Sequence, residues 1–156
     1  MIIAYNGNEG PEYFQAGDSL MYPGMVCMAD DADEVKICIT TGLPFGIIGC
    51  DADHDLGTVY AEGERIPVWI LGCGVDIYVL CNDAATITVA FGSIMDTADD
   101  TTDAGMARVK DAFAEVTTSG TSTERNVGNS FWIGRALAAG SITATVKRYV
   151  PVKLSF

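Results

Sequence analysis

The sequence predicts an all-β protein, a compact small β-barrel or sandwich with at most short helices. Three observations lead to this class. Short apolar runs follow one another at a spacing of roughly 8–12 residues, separated by Gly, Pro and Asp, which is typical of sandwiches and barrels. Several runs alternate apolar and polar residues with period two. The chain also has 17 Gly and only 19% charged residues, which favours many turns over long surface helices.

The candidate strands follow in order along the chain. The first apolar stretch, residues 20–29, is interrupted by the turn pair Pro23-Gly24. Residues 34–40 place apolar side chains at every second position from Val35 onward, the pattern of a half-buried strand. The later candidates are rich in β-branched and aromatic residues; they are 44–50, 65–72, 75–81, 85–92, 131–137 and 142–154.

Two further segments, residues 104–116 and 117–130, lie between these strands. Residues 104–116 carry Met106, Val109 and Phe113 at helical spacing, but the same stretch also alternates as a strand. We favour the strand, because a similar strand recurs earlier in the chain, and keep the helix as the alternative. Residues 117–130 are polar and contain Gly, which predicts a long, exposed and mobile loop.

The period-two pattern selects the side chains of one apolar core. We expect this core to contain Val26, Ile37, Ile39, Ile47, Ile48, Val68, Ile70, Val79, Ile87, Val89, Ile133, Leu137, Val146 and Val152. The two tryptophans, Trp69 and Trp132, lie within apolar runs and are expected to pack against it.

The chain is interpreted as a single domain, 1–156, with an internal echo. Residues 17–80 and 85–156 each contain a Gly-led apolar strand, an Ala-Asp-Asp turn, a Val-Lys strand, a Gly-apolar-Gly element and a long final strand. The echo predicts two similar β units around one core. Chance similarity between short motifs is the alternative.

The charge of the chain limits its partners. The net charge is −12 and the isoelectric point is about 4.2, which disfavours nucleic acid, because a nucleic-acid binder needs a basic surface. Residues 1–107 carry a net charge of −16 and residues 108–156 a net charge of +4. The acidic part is either a well-solvated face or one side of a dipolar molecule whose C-terminal side meets an acidic partner.

Cysteine use and hydropathy indicate where the protein is made. The five cysteines are odd in number, widely spaced and without a CxxC pair. We therefore expect reduced thiols, no structural disulfide and synthesis in a reducing cytoplasm. The N-terminal residues lack a signal-peptide pattern. The apolar runs are far shorter than the roughly 18 residues that a membrane-spanning helix needs, so no membrane partner is expected.

The sequence offers little for catalysis. His54 is the only histidine, and the acids around it favour its protonated form, which suits a general base poorly. We expect a solvated loop histidine, no catalytic residues, no cofactor and a protein that is not an enzyme. The motifs of serine hydrolases, P-loop proteins and zinc proteases do not occur.

One acidic segment resembles a calcium loop in its spacing. The oxygen-bearing side chains at places 1, 3, 5 and 12 are Asp51, Asp53, Asp55 and Glu62. Place 6 is occupied by Leu56, where the sharp turn requires Gly, and the flanks are predicted strands rather than helices. These four residues are weak metal candidates, and we expect folding not to require Ca²⁺. Two other acidic clusters, around Asp31 and Asp99, are interpreted as solvated turns.

The order of these motifs resembles the small capsid decoration, or cement, proteins of tailed viruses. The resemblance is carried by Pro23-Gly24, by Asp31 and Asp33, by the run from Ile133 to Leu137 and by the final strand from Val150 to Leu154. It extends over about residues 17–156, and each motif is short. The 14-residue loop at 117–130 and the five cysteines depart from the family pattern.

The resemblance implies a structural protein on the outside of the virion. Such a protein binds the major capsid protein, stabilises contacts between coat subunits and commonly forms a homotrimer. The ends of the chain are the expected partner-binding elements, because both read as extended strands that can pair with a neighbouring sheet edge; their residues are Met1, Ile2, Ile3, Tyr5, Val150, Val152, Leu154 and Phe156. Pairing of the two ends within one barrel is one alternative. A calcium-dependent or sugar-binding β-domain is the alternative function.

Overall fold

A computed structural model confirms the all-β class. The structure describes residues 10–39, 42–81, 87–97, 104–109, 132–142 and 148–154. This part of the chain contains no helix, and its strands are β1 (Glu12–Ala16), β2 (Val26–Ala29), β3 (Glu34–Ile37), β4 (Gly46–Ile48), β5 (Arg65–Ile70), β6 (Asp76–Cys81), β7 (Ile87–Val89), β8 (Ile94–Thr97), β9 (Ala107–Val109), β10 (Trp132–Ala136), β11 (Gly140–Ile142) and β12 (Arg148–Lys153).

The strands form two closed barrels of five strands each. Barrel 1 has the order β1-β3-β2-β4-β5, and β1 pairs with β5 to close it. Barrel 2 has the order β6-β9-β8-β10-β12, and β6 pairs with β12 to close it. In both barrels the first strand runs parallel to the third, and every other pairing is antiparallel. The two units therefore have the same topology.

The small elements outside the barrels repeat as well. In barrel 2 the short strands β7 and β11 pair with each other, one after the first barrel strand and one before the last. At the corresponding points of barrel 1, a single antiparallel bridge joins Met21 and Tyr60. The insertion in the second unit is thus an extended version of a bridge that the first unit already contains.

The register matches residue by residue. Gly46 pairs with Cys27 on one side, and Gly134 pairs with Met95 at the same point of barrel 2. A hydrogen bond from the residue that follows β4 recurs at the residue that follows β10. The Gly49 N–H donates to the Pro67 carbonyl at 2.7 Å, and the Leu137 N–H donates to the Pro151 carbonyl at 2.8 Å. These matches define a residue-by-residue correspondence between the two barrels.

The second unit begins earlier in the structure than in the sequence echo. The echo assigned residues up to 80 to the first unit, but β6 is the first strand of barrel 2 and closes it against β12. The repeat in the structure therefore runs from β1 to β5 and from β6 to β12. Residues 104–116 contribute β9, a strand, within the described range 104–109; residues 117–130 lie outside the described residues.

The core agrees with most of the expected side chains. Of that set, those that are buried are Val26, Ile47, Ile48, Val68, Val79, Val89, Ile133 and Val152, while Ile37, Ile70 and Leu137 are half-buried. The expectation that Ile39 belongs to the core is wrong, since this residue is 47% exposed. The reason is that β3 ends at Ile37, so the alternation does not continue, and Cys38 is buried in its place. The side chains of Ile87 and Val146 lie outside the described part.

Backbone hydrogen bonds join the two barrels. The Leu80 N–H of β6 donates to the Gly24 carbonyl at 2.7 Å, and the Val26 N–H donates to the Gly105 carbonyl at 2.7 Å. The Gly105 N–H also donates to the Cys38 carbonyl at 2.8 Å. The start of β2 in barrel 1 is thus held against the β6–β9 side of barrel 2.

Side chains extend this contact across three strands of barrel 1. Val26, Ile47 and Trp69 are cross-strand partners in one row. They pack in the same apolar cluster as the interior of barrel 2, whereas their strand neighbours, such as Cys27 and Ile48, pack inside barrel 1. Successive strand residues point to opposite faces. The row is therefore the outer face of barrel 1, and barrel 2 covers it.

Candidate functional site

The carboxyl-terminal residues expected to bind a partner lie in the core instead. Val150, Val152 and Leu154 are 7%, 0% and 0% exposed. Strand β12, which carries the two valines, pairs with β6 on one side and β10 on the other, so it has no free edge along this stretch. These three residues stabilise barrel 2 and do not face a partner. Met1, Ile2, Ile3, Tyr5 and Phe156 lie outside the described residues.

Two exposed tyrosines occupy the same place on the two barrels. Tyr13 of β1 and Tyr78 of β6 are each 54% exposed. Tyr13 is the direct cross-strand partner of Pro67, and Tyr78 is the direct partner of Pro151. We call these the two Tyr–Pro pairs. Tyrosine is enriched at protein interfaces, because its ring offers apolar area and its hydroxyl offers a hydrogen bond.

The prolines of these pairs sit in an uncommon position. Proline lacks an N–H and is usually confined to edge strands, strand ends and bulges. Here each proline lies within the last strand of a closed barrel, opposite a tyrosine of the first strand. The feature occurs twice at corresponding positions on the outer surface. The sequence contains a signal for it in the similar runs Ile66-Pro67-Val68 and Val150-Pro151-Val152.

Charged groups border each Tyr–Pro pair. In barrel 1, the Arg65 side chain Nη2 donates to the Tyr13 carbonyl at 3.2 Å. In barrel 2, Lys153 Nζ lies 3.2 Å from Asp76 Oδ1, with both side chains half exposed or more. Each pair therefore presents an exposed tyrosine ring with charged groups beside it, while Pro67 is buried and Pro151 is half-buried beneath the tyrosines.

The His54 loop forms a compact turn around one carboxylate. Asp51 Oδ1 accepts hydrogen bonds from the Asp53 N–H at 2.9 Å and from the His54 N–H at 2.8 Å. The same oxygen lies 2.9 Å from His54 Nδ1, and His54 Nε2 lies 3.4 Å from Glu64 Oε1. The His54 ring stacks on Tyr60 with the ring centroids 4.0 Å apart. The expectation of a solvated histidine is wrong, since the side chain is 13% exposed.

The pKa values in this loop follow from these contacts. The hydrogen bond to Asp51 raises the pKa of His54, partial burial opposes this, and the charges of Asp51, Glu64 and Asp53 add to the rise. Partial burial raises the pKa of Asp51, but the hydrogen bonds from His54 and from two backbone N–H groups outweigh it and hold that pKa below its ordinary value. The loop thus favours a charged histidine paired with a charged carboxylate, an arrangement that fixes a turn.

The weak metal candidates point to different partners. Asp51 binds the turn, and Asp55 Oδ1 accepts from the Thr58 hydroxyl at 2.5 Å. Asp53 and Glu62 are exposed. Within the described ranges, no group of three or more His, Cys, Asp or Glu side chains gathers in a way that could hold a metal ion. The expectation that folding does not require Ca²⁺ stays a prediction.

The cysteines are free thiols, four of them buried and Cys50 exposed. Burial raises the pKa of Cys38 to about 11 and that of Cys81 to about 12. A thiol reacts as the thiolate, so these two side chains pack as small apolar groups. The described part of the chain contains no helix that is long and apolar enough to cross a membrane.

Comparison with known proteins does not assign the chain to a family. Neither a protein-family profile nor a curated protein sequence matches it. The function is therefore argued from the duplicated fold and its surface.

Proposed function

We propose that this chain is a decoration protein, which binds the outside of a viral capsid and stabilises contacts between coat subunits. The observation that carries the proposal is the duplicated outer surface. Two barrels of identical topology each present an exposed tyrosine opposite a proline. A protein that offers the same contact twice suits a partner whose surface is itself repeated, and a shell of identical coat subunits is such a partner.

The charge and the His54 loop support a surface role over catalysis. A net charge of −12 keeps a free protein soluble until it meets its shell. The only histidine is paired with Asp51 and stacked on Tyr60. A histidine engaged in this way fixes the loop and is poorly suited to act as a base. We infer that the protein is not an enzyme.

Repeated weak contacts gain strength when several copies are linked. A standard contact buries only about 800 Å² per partner, and joining several such contacts raises the overall affinity by about 10² to 10⁴. Two Tyr–Pro pairs per chain already supply two contacts. A homotrimer with closed symmetry supplies six, and we propose this oligomer as the bound form.

The proposal is tested by binding to undecorated shells. The variants Tyr13→Ser, Tyr78→Ser and the double variant are mixed with shells, and bound protein is measured by sedimentation. Each single variant is expected to lower the affinity by about tenfold, because an aromatic contact residue contributes about 1–2 kcal/mol. The double variant is expected to bind more weakly than either single variant.

The control variant alters an exposed apolar residue that is not part of a Tyr–Pro pair. Leu43→Ser removes an apolar side chain that is 67% exposed in the loop before β4, and it should bind like wild type. Wild-type protein that fails to bind the shells contradicts the proposed function. Full binding by the double variant contradicts the role of the Tyr–Pro pairs. A variant lacking residues 1–5 in the same assay tests the expected gripping role of the N-terminal segment.

A further inference from the structure

The covered outer row of barrel 1 has an exact counterpart on barrel 2. Ile94, Arg135 and Lys153 are cross-strand partners in one row. By the residue correspondence between the barrels, they stand where Val26, Ile47 and Trp69 stand in barrel 1. One chain therefore contains two outer rows at the same register position, an apolar row on barrel 1 that barrel 2 covers and a row with two basic residues on barrel 2.

The row on barrel 2 is open. Arg135 and Lys153 are exposed and Ile94 is half-buried, whereas Val26 and Ile47 are fully buried. The turn before the row shows the same contrast, since Phe91 is 75% exposed and its counterpart Pro23 is buried. The backbone is nevertheless the same. The Gly24 N–H donates to the Ile48 carbonyl at 2.7 Å, and the Gly92 N–H donates to the Ala136 carbonyl at 2.8 Å.

The surface that covers the row of barrel 1 also has a counterpart. Barrel 2 contacts barrel 1 through Leu80 and Gly105. The matching residues of barrel 1 are Gln15 and Asp33, because Ala16 pairs with Val35 as Cys81 pairs with Ala107. This end of barrel 1 is closed by a hydrogen bond from the Gln15 N–H to the Asp33 carbonyl, at 2.7 Å. Both side chains are exposed.

The two unpaired surfaces are complementary in charge. The open row of barrel 2 carries Arg135, whose Nη1 donates to the Gly92 carbonyl at 3.1 Å, and Lys153. The matching end of barrel 1 lies in the acidic turn that contains Asp31, Asp33 and Glu34. Complementary charges fix the register of a contact and favour encounter. Within one chain these surfaces belong to different barrels, so a second copy can join them.

We propose that the surface formed by Phe91, Ile94, Arg135 and Lys153 docks on the Gln15–Asp33 end of barrel 1 in a second copy of this chain. The contact joins, between chains, the counterparts of the two surfaces that meet within a chain. It is made by side chains, because the Gln15 N–H and the Asp33 carbonyl already bond each other. A head-to-tail contact uses two different surfaces and builds a ring when its rotation closes. This inference rests on the self-association included in the proposed function, and it names the surfaces responsible.

Light scattering on the purified full-length chain, without shells, tests the contact. Wild type is expected to have three times the chain mass of 16.5 kDa. Arg135→Glu places an acid against the acidic turn, and Phe91→Ser removes the exposed ring. Each is expected to weaken association by at least about tenfold, because like charges or a lost apolar contact act at the interface. Asp33→Arg should do the same from the other side.

A charge exchange provides the decisive comparison. The double variant Arg135→Glu with Asp33→Arg restores opposite charges at every contact and should associate again. Leu43→Ser and Asp53→Arg alter exposed residues away from these surfaces and should associate like wild type. A monomeric wild type overturns the inference, as does unchanged association of Arg135→Glu and Phe91→Ser. Neither result depends on shell binding, so failure of this contact and failure of the decoration role are read separately.

Discussion

At the scale of single residues, the duplicated barrels identify which positions the fold requires. Gly46 and Gly134 are matched glycines in corresponding strands, and each faces the backbone of the final barrel strand. A Cβ at Gly46 would lie 2.7 Å from the Trp69 carbonyl oxygen, and a Cβ at Gly134 would meet the Lys153 carbonyl oxygen. Backbone cannot move aside as a flexible side chain can, so both barrels need glycine here.

Replacing either glycine by alanine should therefore destabilise the protein. Gly46→Ala and Gly134→Ala are expected to cost about 1–3 kcal/mol each, the usual cost of overpacking. Chemical denaturation measures this. Gly10→Ala is the matched control, because a Cβ there meets no atom within 4 Å. Equal stability of all three variants would show that the close approach in the barrels is not required.

The His54 loop predicts a specific dependence of stability on pH. The pKa of His54 is raised in the folded state, so its contribution is fully present below its ordinary pKa and is lost as pH rises through the folded value. The pKa of Asp51 is lowered, so its contribution is present above its ordinary pKa and is lost as pH falls. Both contributions are present in weakly acidic solution.

The variant His54→Gln isolates this effect. The difference in melting temperature between wild type and His54→Gln is expected to be larger at about pH 5.5 than at about pH 8.5, because the protonated ring gains a charge attraction to Asp51 that the neutral ring lacks. Glu62→Gln is the control, an exposed acid of the same region. A difference that is independent of pH would contradict a charged His54 pair in the folded state.

At the scale of elements, β12 and the residue that follows it hold barrel 2 together. Leu154 is fully buried, and its N–H donates to the Val75 carbonyl at 2.9 Å. Leu154→Ala is expected to cost about 2–5 kcal/mol by leaving a cavity. Leu43→Ser, in an exposed loop, is expected to change stability by at most about 0.5 kcal/mol. Thermal unfolding distinguishes the two variants. If Leu154→Ala left the stability unchanged, the end of the chain would again be a candidate partner-binding element.

The sequence predicted most elements because period two marks a strand whose one face is buried. The prediction for Ile39 was wrong because alternation alone does not show where β3 ends. The prediction for Val150, Val152 and Leu154 was wrong because an apolar strand near a chain end has the same sequence pattern whether it is paired or free. The Tyr–Pro pairs could not be predicted from the sequence for another reason. Tyr13 and Pro67 are joined only by the register of β1 and β5, which depends on contacts distant in sequence.

At the scale of the whole molecule, duplication explains both its compactness and its two kinds of surface. The echo suggested two units around one core, whereas the structure has two barrels and two buried apolar clusters. One cluster holds the interior of barrel 1, and the other joins Val26 and Ile47 of barrel 1 to the interior of barrel 2. The net charge also differs between the two barrels. The span of barrel 1, residues 12–70, carries a net charge of −9, whereas the span of barrel 2, residues 76–153, carries −2. The negative charge of the molecule is therefore concentrated in the span of barrel 1.

Quantitative mass spectrometry of purified virus particles tests the decoration role. The decoration role implies a virus that encodes this chain, and in its particles the copy number of the chain is compared with that of the major capsid protein. A decoration protein is expected at a simple ratio to the coat subunits, such as one to one, and should be released by mild treatment that leaves the shell intact. Absence from the particles, or a few copies in each, would contradict the decoration role.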